Sequence, residues 1–147
     1  MVVLAVPWEV VPPVLAQAGD LSGKVLIDCT NPIRWENGPV VAIEGSGVQE
    51  IAKRTPGAKV VKAFNTLGAE HLQAPKFGAY KADVYIATDD ASARNVAASL
   101  ARELGFDVVD AGPLRNARLL EHLAVLWVHL ATQGGMGRSI AFKVLKK

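Results

Sequence analysis

The sequence predicts an α/β fold: a doubly wound, mostly parallel sheet with a long C-terminal helix and a final edge strand. Three observations predict it. Apolar runs rich in β-branched residues recur at Val2–Val6, Val25–Cys29, Lys59–Phe64 and Val84–Ala87, the pattern of strands buried on both faces. Segments of helical period alternate with them, which implies parallel pairing through right-handed crossovers. Proline, glycine and asparagine punctuate the joins.

Each element has its own warrant. Val2–Val6 runs into Pro7-Trp8 and stops there. A short helix from Val10 to Ala18 follows, with Pro12 and Pro13 tolerated in its first turn. Gly19 is its expected stop. The strand Val25–Cys29 ends in Thr30-Asn31-Pro32, where Pro32 cannot continue a ladder. Arg34 to Gly47 reads as a loop, and Val48–Arg54 as a short helix closed by Pro56-Gly57. Lys59–Phe64 is the third strand, and Gly68 to Leu72 one helical turn. After the strand Val84–Ala87, Asp89-Asp90 suit the start of a helix over Ala91–Leu104, because acidic side chains accept its free amides. Phe106–Val109 is the fifth strand.

The helix predicted over Leu114–Thr132 gathers Arg115, Arg118, His122 and His129 on one narrow stripe and is apolar around most of its girth. Such a helix needs cover on more than one side, so a second subunit is expected. The stripe itself reads as a solvated face. Ile140–Leu145 reads as the final strand.

Composition excludes several functions. Net charge is +2 over 147 residues, with no basic run, which argues against nucleic acid. Cys29 is the single cysteine, so no internal disulfide forms and a reducing, cytoplasmic setting is expected. No apolar segment reaches the length of a membrane span, and no metal-ligand spacing or hydrolase triad is present, so no metal and no catalytic side chain are assigned. The whole chain, 1–147, reads as one domain.

In a parallel α/β sheet, ligands bind beyond the carboxyl ends of the strands. Those ends are Val6-Pro7-Trp8, Thr30-Asn31-Pro32, Asn65-Thr66-Leu67, Thr88-Asp89-Asp90 and Ala111-Gly112-Pro113. They are expected to meet at one edge and form the binding site.

The segments Ala5-Val6-Pro7-Trp8-Glu9, Asp28-Cys29-Thr30-Asn31-Pro32, Val61 to Thr66, Asp110 to Leu114 and Gly135-Met136-Gly137-Arg138 stand in a recognisable order. Together they resemble the NADPH-dependent coenzyme F420 reductases, within a superfamily that includes pyrroline-5-carboxylate reductases and ferric reductase domains. The resemblance implies part of a Rossmann domain that binds NADP(H), with the deazaflavin of coenzyme F420 as co-substrate and direct hydride transfer between the two rings. It implies that Val6, Pro7 and Trp8 line the nicotinamide end of the cleft and that Asn31 and Pro32 flank that ring. Asn65, Thr66 and Leu67 would face the deazaflavin, with Met136 and Gly137 closing over it.

The sequence departs from that pattern at its start: it shows neither the family's opening strand and Gly-x-Gly-x-x-Gly turn, the element that supplies amides to a pyrophosphate, nor the Ser/Thr-Arg pair that the resemblance implies for the 2′-phosphate. Gly45-Ser46-Gly47 lacks the third glycine and is no substitute. The chain is therefore expected to correspond to the second half of the NADP-binding domain plus a C-terminal helix, with Val2–Val6 as an exposed edge that a second copy covers. The alternatives are a non-catalytic dimerising remnant of such a domain and a reductase of another substrate.

Overall fold

The computed structural model describes all 147 residues. Its centre is a five-stranded sheet in the order β1 (Val2–Leu4), β2 (Val25–Asp28), β5 (Lys59–Lys62), β8 (Asp83–Ala87), β9 (Asp107–Gly112). The strand side chains alternate between faces, as the pleat demands. Leu26 and Val60 enter one core with α1 (Val11–Ala18), α2 (Gly47–Arg54) and the start of α4 (Ala117–Ala131). Ile27 and Val61 enter a second core, with Ala93, Ala97 and Ala101 of α3 (Ala91–Glu103) and with Phe106. Alanines on its buried face let α3 approach the sheet closely. Its N-cap is Asp90, whose carboxylate accepts from the Ala93 amide at 2.8 Å, as its position in the sequence predicts.

Pairing is parallel from β1 to β2 to β5, and again from β8 to β9. Between β5 and β8 it is antiparallel, through a single pair, Lys62 and Ala87. The sheet is mostly parallel, but the expected gathering of all five carboxyl ends at one edge does not occur. Thr88-Asp89-Asp90 and Ala111-Gly112-Pro113 leave at the opposite edge, beside Lys59 at the start of β5: Lys59 Nζ donates to Ser92 Oγ at 2.9 Å and Asp89 accepts from the Leu114 amide at 3.0 Å. Strand direction depends on how the chain between β5 and β8 returns, and periodicity carries no such information.

The final strand expected at Ile140–Leu145 is also absent. One ladder-like bond forms, from the Asp83 amide to the Phe142 carbonyl at 3.3 Å. The next amide, that of Val144, is taken by the Asp83 carboxylate at 2.6 Å, and Lys143 bridges Asp83 and Asp107. Side-chain acceptors thus take the donor that a ladder would need.

Three further segments differ. The stretch read as a loop holds an antiparallel hairpin, β3 (Ile33–Trp35) with β4 (Pro39–Val41), turning through Asn37 and Gly38, both at positive φ. That Asn-Gly pair is a hairpin signal. A small hairpin, β6 (Lys76–Phe77) with β7 (Tyr80–Lys81), precedes β8. The long C-terminal helix opens as a 3-10 turn at Leu114–Asn116 before α4. No helix is long and apolar enough to cross a membrane.

Candidate active site

The carboxyl ends of β1, β2 and β5 do converge, and a cavity of about 390 Å³ opens there. Ala5, Val6 and Pro7 line it from the end of β1, Cys29 and Asn31 from the end of β2, and Phe64, Asn65 and Leu67 from the end of β5. Ala69 and Leu72 form one lip, and Leu100 and Leu104 of the α3 end another. The lining is mainly apolar with two amide side chains, the makeup of a small-molecule pocket.

Local backbone chemistry shapes this cavity. Phe64 has φ +62°, a conformation that a bulky residue rarely holds and that concentrates at functional sites. Its ring packs edge-on against Phe106 at 6.3 Å, and the reversal turns Asn65 back toward β2. Asn31 Nδ2 donates to the Asn65 carbonyl at 2.8 Å, and Asn65 Nδ2 donates to Asn31 Oδ1 at 2.9 Å and to the Leu120 carbonyl at 3.0 Å. The two asparagines thus tie the ends of β2 and β5 to each other and to α4.

Of the residues expected at the site, Val6, Pro7, Asn31, Asn65 and Leu67 line this cavity. Trp8, Pro32, Thr66, Met136 and Gly137 do not. Trp8 packs on the first core and, with Pro32, closes over Gly47: a Cβ there would lie 3.0 Å from the indole and 3.2 Å from Pro32. It faces a separate groove with Glu9, Glu44 and Arg54. Thr66 is buried. Met136 is 60% exposed in a turn whose amide returns to the Leu130 carbonyl. Its neighbour Arg138 grips Glu70 through two nitrogens, at 2.6 and 2.9 Å, and lies 5.4 Å from the Trp127 ring. The Arg115, Arg118, His122 and His129 stripe is exposed, in keeping with a solvated face.

On the face of β2 and β5 that enters the first core lies a charge network that the sequence reading missed. Lys62, fully buried, donates to Asp28 Oδ2 at 2.8 Å and to the Thr30 carbonyl, and lies 3.4 Å from Glu121 Oε1. Asp28 Oδ1 accepts from the amide and hydroxyl of Thr30. Glu121 accepts from Ser46 Oγ and from the Gly47 and Val48 amides at 3.1 Å each. It therefore already fills the N-terminus of α2, and the Gly47 and Val48 amides are not free for a phosphate. The available signal was an acid and a base at matching positions of two apolar strands; Asp28 and Lys62 are register partners. Burial without pairing would be prohibitive for either. Cys29, at the cavity wall, is pushed up to about 12 by burial first and by Asp28 second. It is a neutral thiol at physiological pH.

A sheet wound on both faces, with a mainly apolar cavity at the carboxyl ends of adjacent parallel strands, is the arrangement of the Rossmann-like α/β domains, which bind their ligands at such strand ends. The comparisons give the particular family. Residues 1–32 match the family described as NADP oxidoreductase, coenzyme F420-dependent. A crystal structure of a protein from Arthrobacter sp. FB24, classed with the F420-dependent NADP-reductases, superposes with TM-score 0.89 at 32% identity, over 99% of this chain and 69% of that one. The F420-dependent NADP reductase of Methanothermobacter thermautotrophicus is 34% identical over 139 residues, 88% of this chain and 60% of the relative. Metalloreductase STEAP3 of Rattus norvegicus is 36% identical over 105 residues, 71% of this chain and 20% of the relative. The chain belongs to the F420-dependent NADP oxidoreductase family. It spans about a fifth of the metalloreductase and three-fifths of the Methanothermobacter reductase.

Proposed function

We propose that this chain carries the ring-binding part of an oxidoreductase that moves hydride between NADP(H) and the deazaflavin of coenzyme F420. The observation that carries the reading is the cavity at the ends of β1, β2 and β5. It encloses about 390 Å³ and is lined by Val6, Pro7, Leu67, Leu72 and Leu100 together with the Asn31–Asn65 pair. Apolar walls exclude water and hold two rings face to face; alignment is what the protein contributes to such a reaction. When bound, the reduced nicotinamide supplies the hydride, and no side chain has to act as acid or base in that transfer. Val6 and Pro7 would bear on the nicotinamide, and Asn65 and Leu67 on the deazaflavin.

The likeness to the metalloreductase supports a second reading, in which the same cavity serves a reductase with a different electron acceptor. Titration of the purified protein with NADPH, with and without coenzyme F420, decides between them. Loss of both the nicotinamide and the oxidised deazaflavin absorbance supports the first reading. NADPH oxidation with a ferric chelate but not with F420 supports the second. No binding of either ring at millimolar concentration would leave a domain without redox activity, and both readings would fall.

We also propose a second copy of the chain as partner. Leu119 and Leu126 lie exposed one above the other on α4, and β1 has no neighbour on its outer side.

A further inference from the structure

One lip of the cavity is held in place by the C-terminal tail. Ala69 and Leu72 line the cavity. They belong to a segment, residues 68–74, whose backbone bonds only within itself: the amides of His71, Leu72 and Ala74 donate to the carbonyls of Gly68, Ala69 and His71. Leu72 packs on the second core, and the His71 ring meets Phe77 edge-on at 4.9 Å. Every hydrogen bond that leaves the segment goes to one residue, Arg138. Its Nε and Nη2 donate to the two oxygens of Glu70 at 2.6 and 2.9 Å, and His71 Nε2 donates to its carbonyl at 2.8 Å. Gly68 leaves room for this fork, since a Cβ there would lie 2.6 Å from Glu70 Oε2.

Arg138 is itself fixed. Its guanidinium lies 5.4 Å from the ring of buried Trp127, and Trp127 Nε1 donates to the carbonyl of Ile140, two residues further along the tail, at 2.9 Å. A guanidinium that engages both carboxylate oxygens sets direction as well as distance. Exposed ion pairs add little to overall stability, so this one acts on where the lip stands more than on whether the chain folds.

We propose that Arg138 is a positioning residue for the cavity: through Glu70 and His71 it holds Ala69 and Leu72 at the rim, so that an entering ring meets a wall already formed. This rests on the proposed ring-binding function and extends it to a tail residue outside the lining. Without the grip, the ligand itself has to order the lip, and that cost is subtracted from binding.

The test is a double-mutant cycle on the full chain, read by fluorescence titration with 5-deazariboflavin. It compares the native protein, Arg138→Met, Glu70→Ala and the double variant. Both side chains are exposed, at 63% and 41%, so all four proteins should melt alike. Each single variant is expected to weaken binding by about threefold or more. The double variant should lose no more than the weaker-binding single, because the two residues act as one unit. Amide exchange at His71 and Leu72 should quicken in all three variants while exchange in β2 and β5 stays as it was. A smaller loss in either single variant, or losses that add in the double, would overturn the proposal and leave the ring-binding function intact. So would exchange that quickens throughout the sheet, the mark of a pair that only stabilises the fold. Failure of the probe to bind the native protein would remove the ring-binding function, and the proposal with it.

Discussion

Lys62 anchors a buried charge network between β2, β5 and α4. One ammonium group satisfies Asp28 and the Thr30 carbonyl while facing Glu121, in a place closed to water. Lys62→Met would leave two buried carboxylates near one another with no cation between them. The expected loss is about 3–5 kcal/mol of unfolding free energy, read by urea denaturation; a loss under about 1 kcal/mol would show that the network is not worth what its geometry implies. Cys29 gives a second residue-level prediction. Because burial holds its thiol up to about 12, it should react with iodoacetamide at pH 8 at least about a hundredfold more slowly in the native protein than in denaturant. Comparable rates in the two conditions would contradict the raised thiol. Glu70 gives a third. The guanidinium of Arg138 holds its carboxyl down to about 2. A depressed carboxylate favours the native state at neutral pH and loses that contribution as pH falls from its unfolded value toward its folded one. The Glu70–Arg138 grip should therefore persist through pH 4 and release near pH 2, followed by the carboxyl carbon shift of Glu70. A midpoint near 4 would mean that the grip does not form in solution.

At the scale of elements, the weak seam of the sheet is where β5 meets β8. Only Lys62 and Ala87 pair across it. Thr88 reinforces it, with its buried hydroxyl donating to the Val60 carbonyl at 2.6 Å and accepting from the Asp90 amide at 3.2 Å. Thr88→Val keeps the shape and removes both bonds, so a loss of about 1–3 kcal/mol is expected, together with faster amide exchange in β8 and β9 than in β1 and β2. Uniform exchange across the sheet would argue that the seam is not a point of weakness. The hairpin β3–β4 shows the opposite relation between sequence and element: the Asn37-Gly38 turn is written plainly in the chain. The surrounding sequence still reads as a loop, because the flanking strands are only three residues each and carry too little periodicity to mark a strand.

At the scale of the whole molecule, α4 and β1 leave apolar surface open. Leu119 and Leu126 share one exposed face of α4, and Val3 is about half exposed at the free edge of the sheet. If a second copy covers α4, sedimentation velocity should show a dimer, and Leu119→Glu with Leu126→Glu should show a monomer of unchanged helix content. A native protein that sediments as a monomer at tens of micromolar would leave that face to another use. The opposite polarity of β8 and β9 also has consequences here. It divides the strand ends between two edges, so the cavity draws on three strands of the sheet and on the end of α3.

Sequence alone determined the alternation of strands and helices, the capping of α3 by Asp90 and the placing of Val6, Pro7, Asn31, Asn65 and Leu67 at strand ends. These follow from local rules of burial period, backbone geometry and capping, which act within a few residues. Tertiary structure decided the direction of β8, the turning of Trp8 into the core, the withdrawal of Met136 and Gly137 from the cavity, and the pairing of Lys62 with Asp28 and Glu121. Each of these depends on which distant groups meet, and a buried charge such as that of Lys62 acquires its meaning only from the partners that the fold brings to it or withholds.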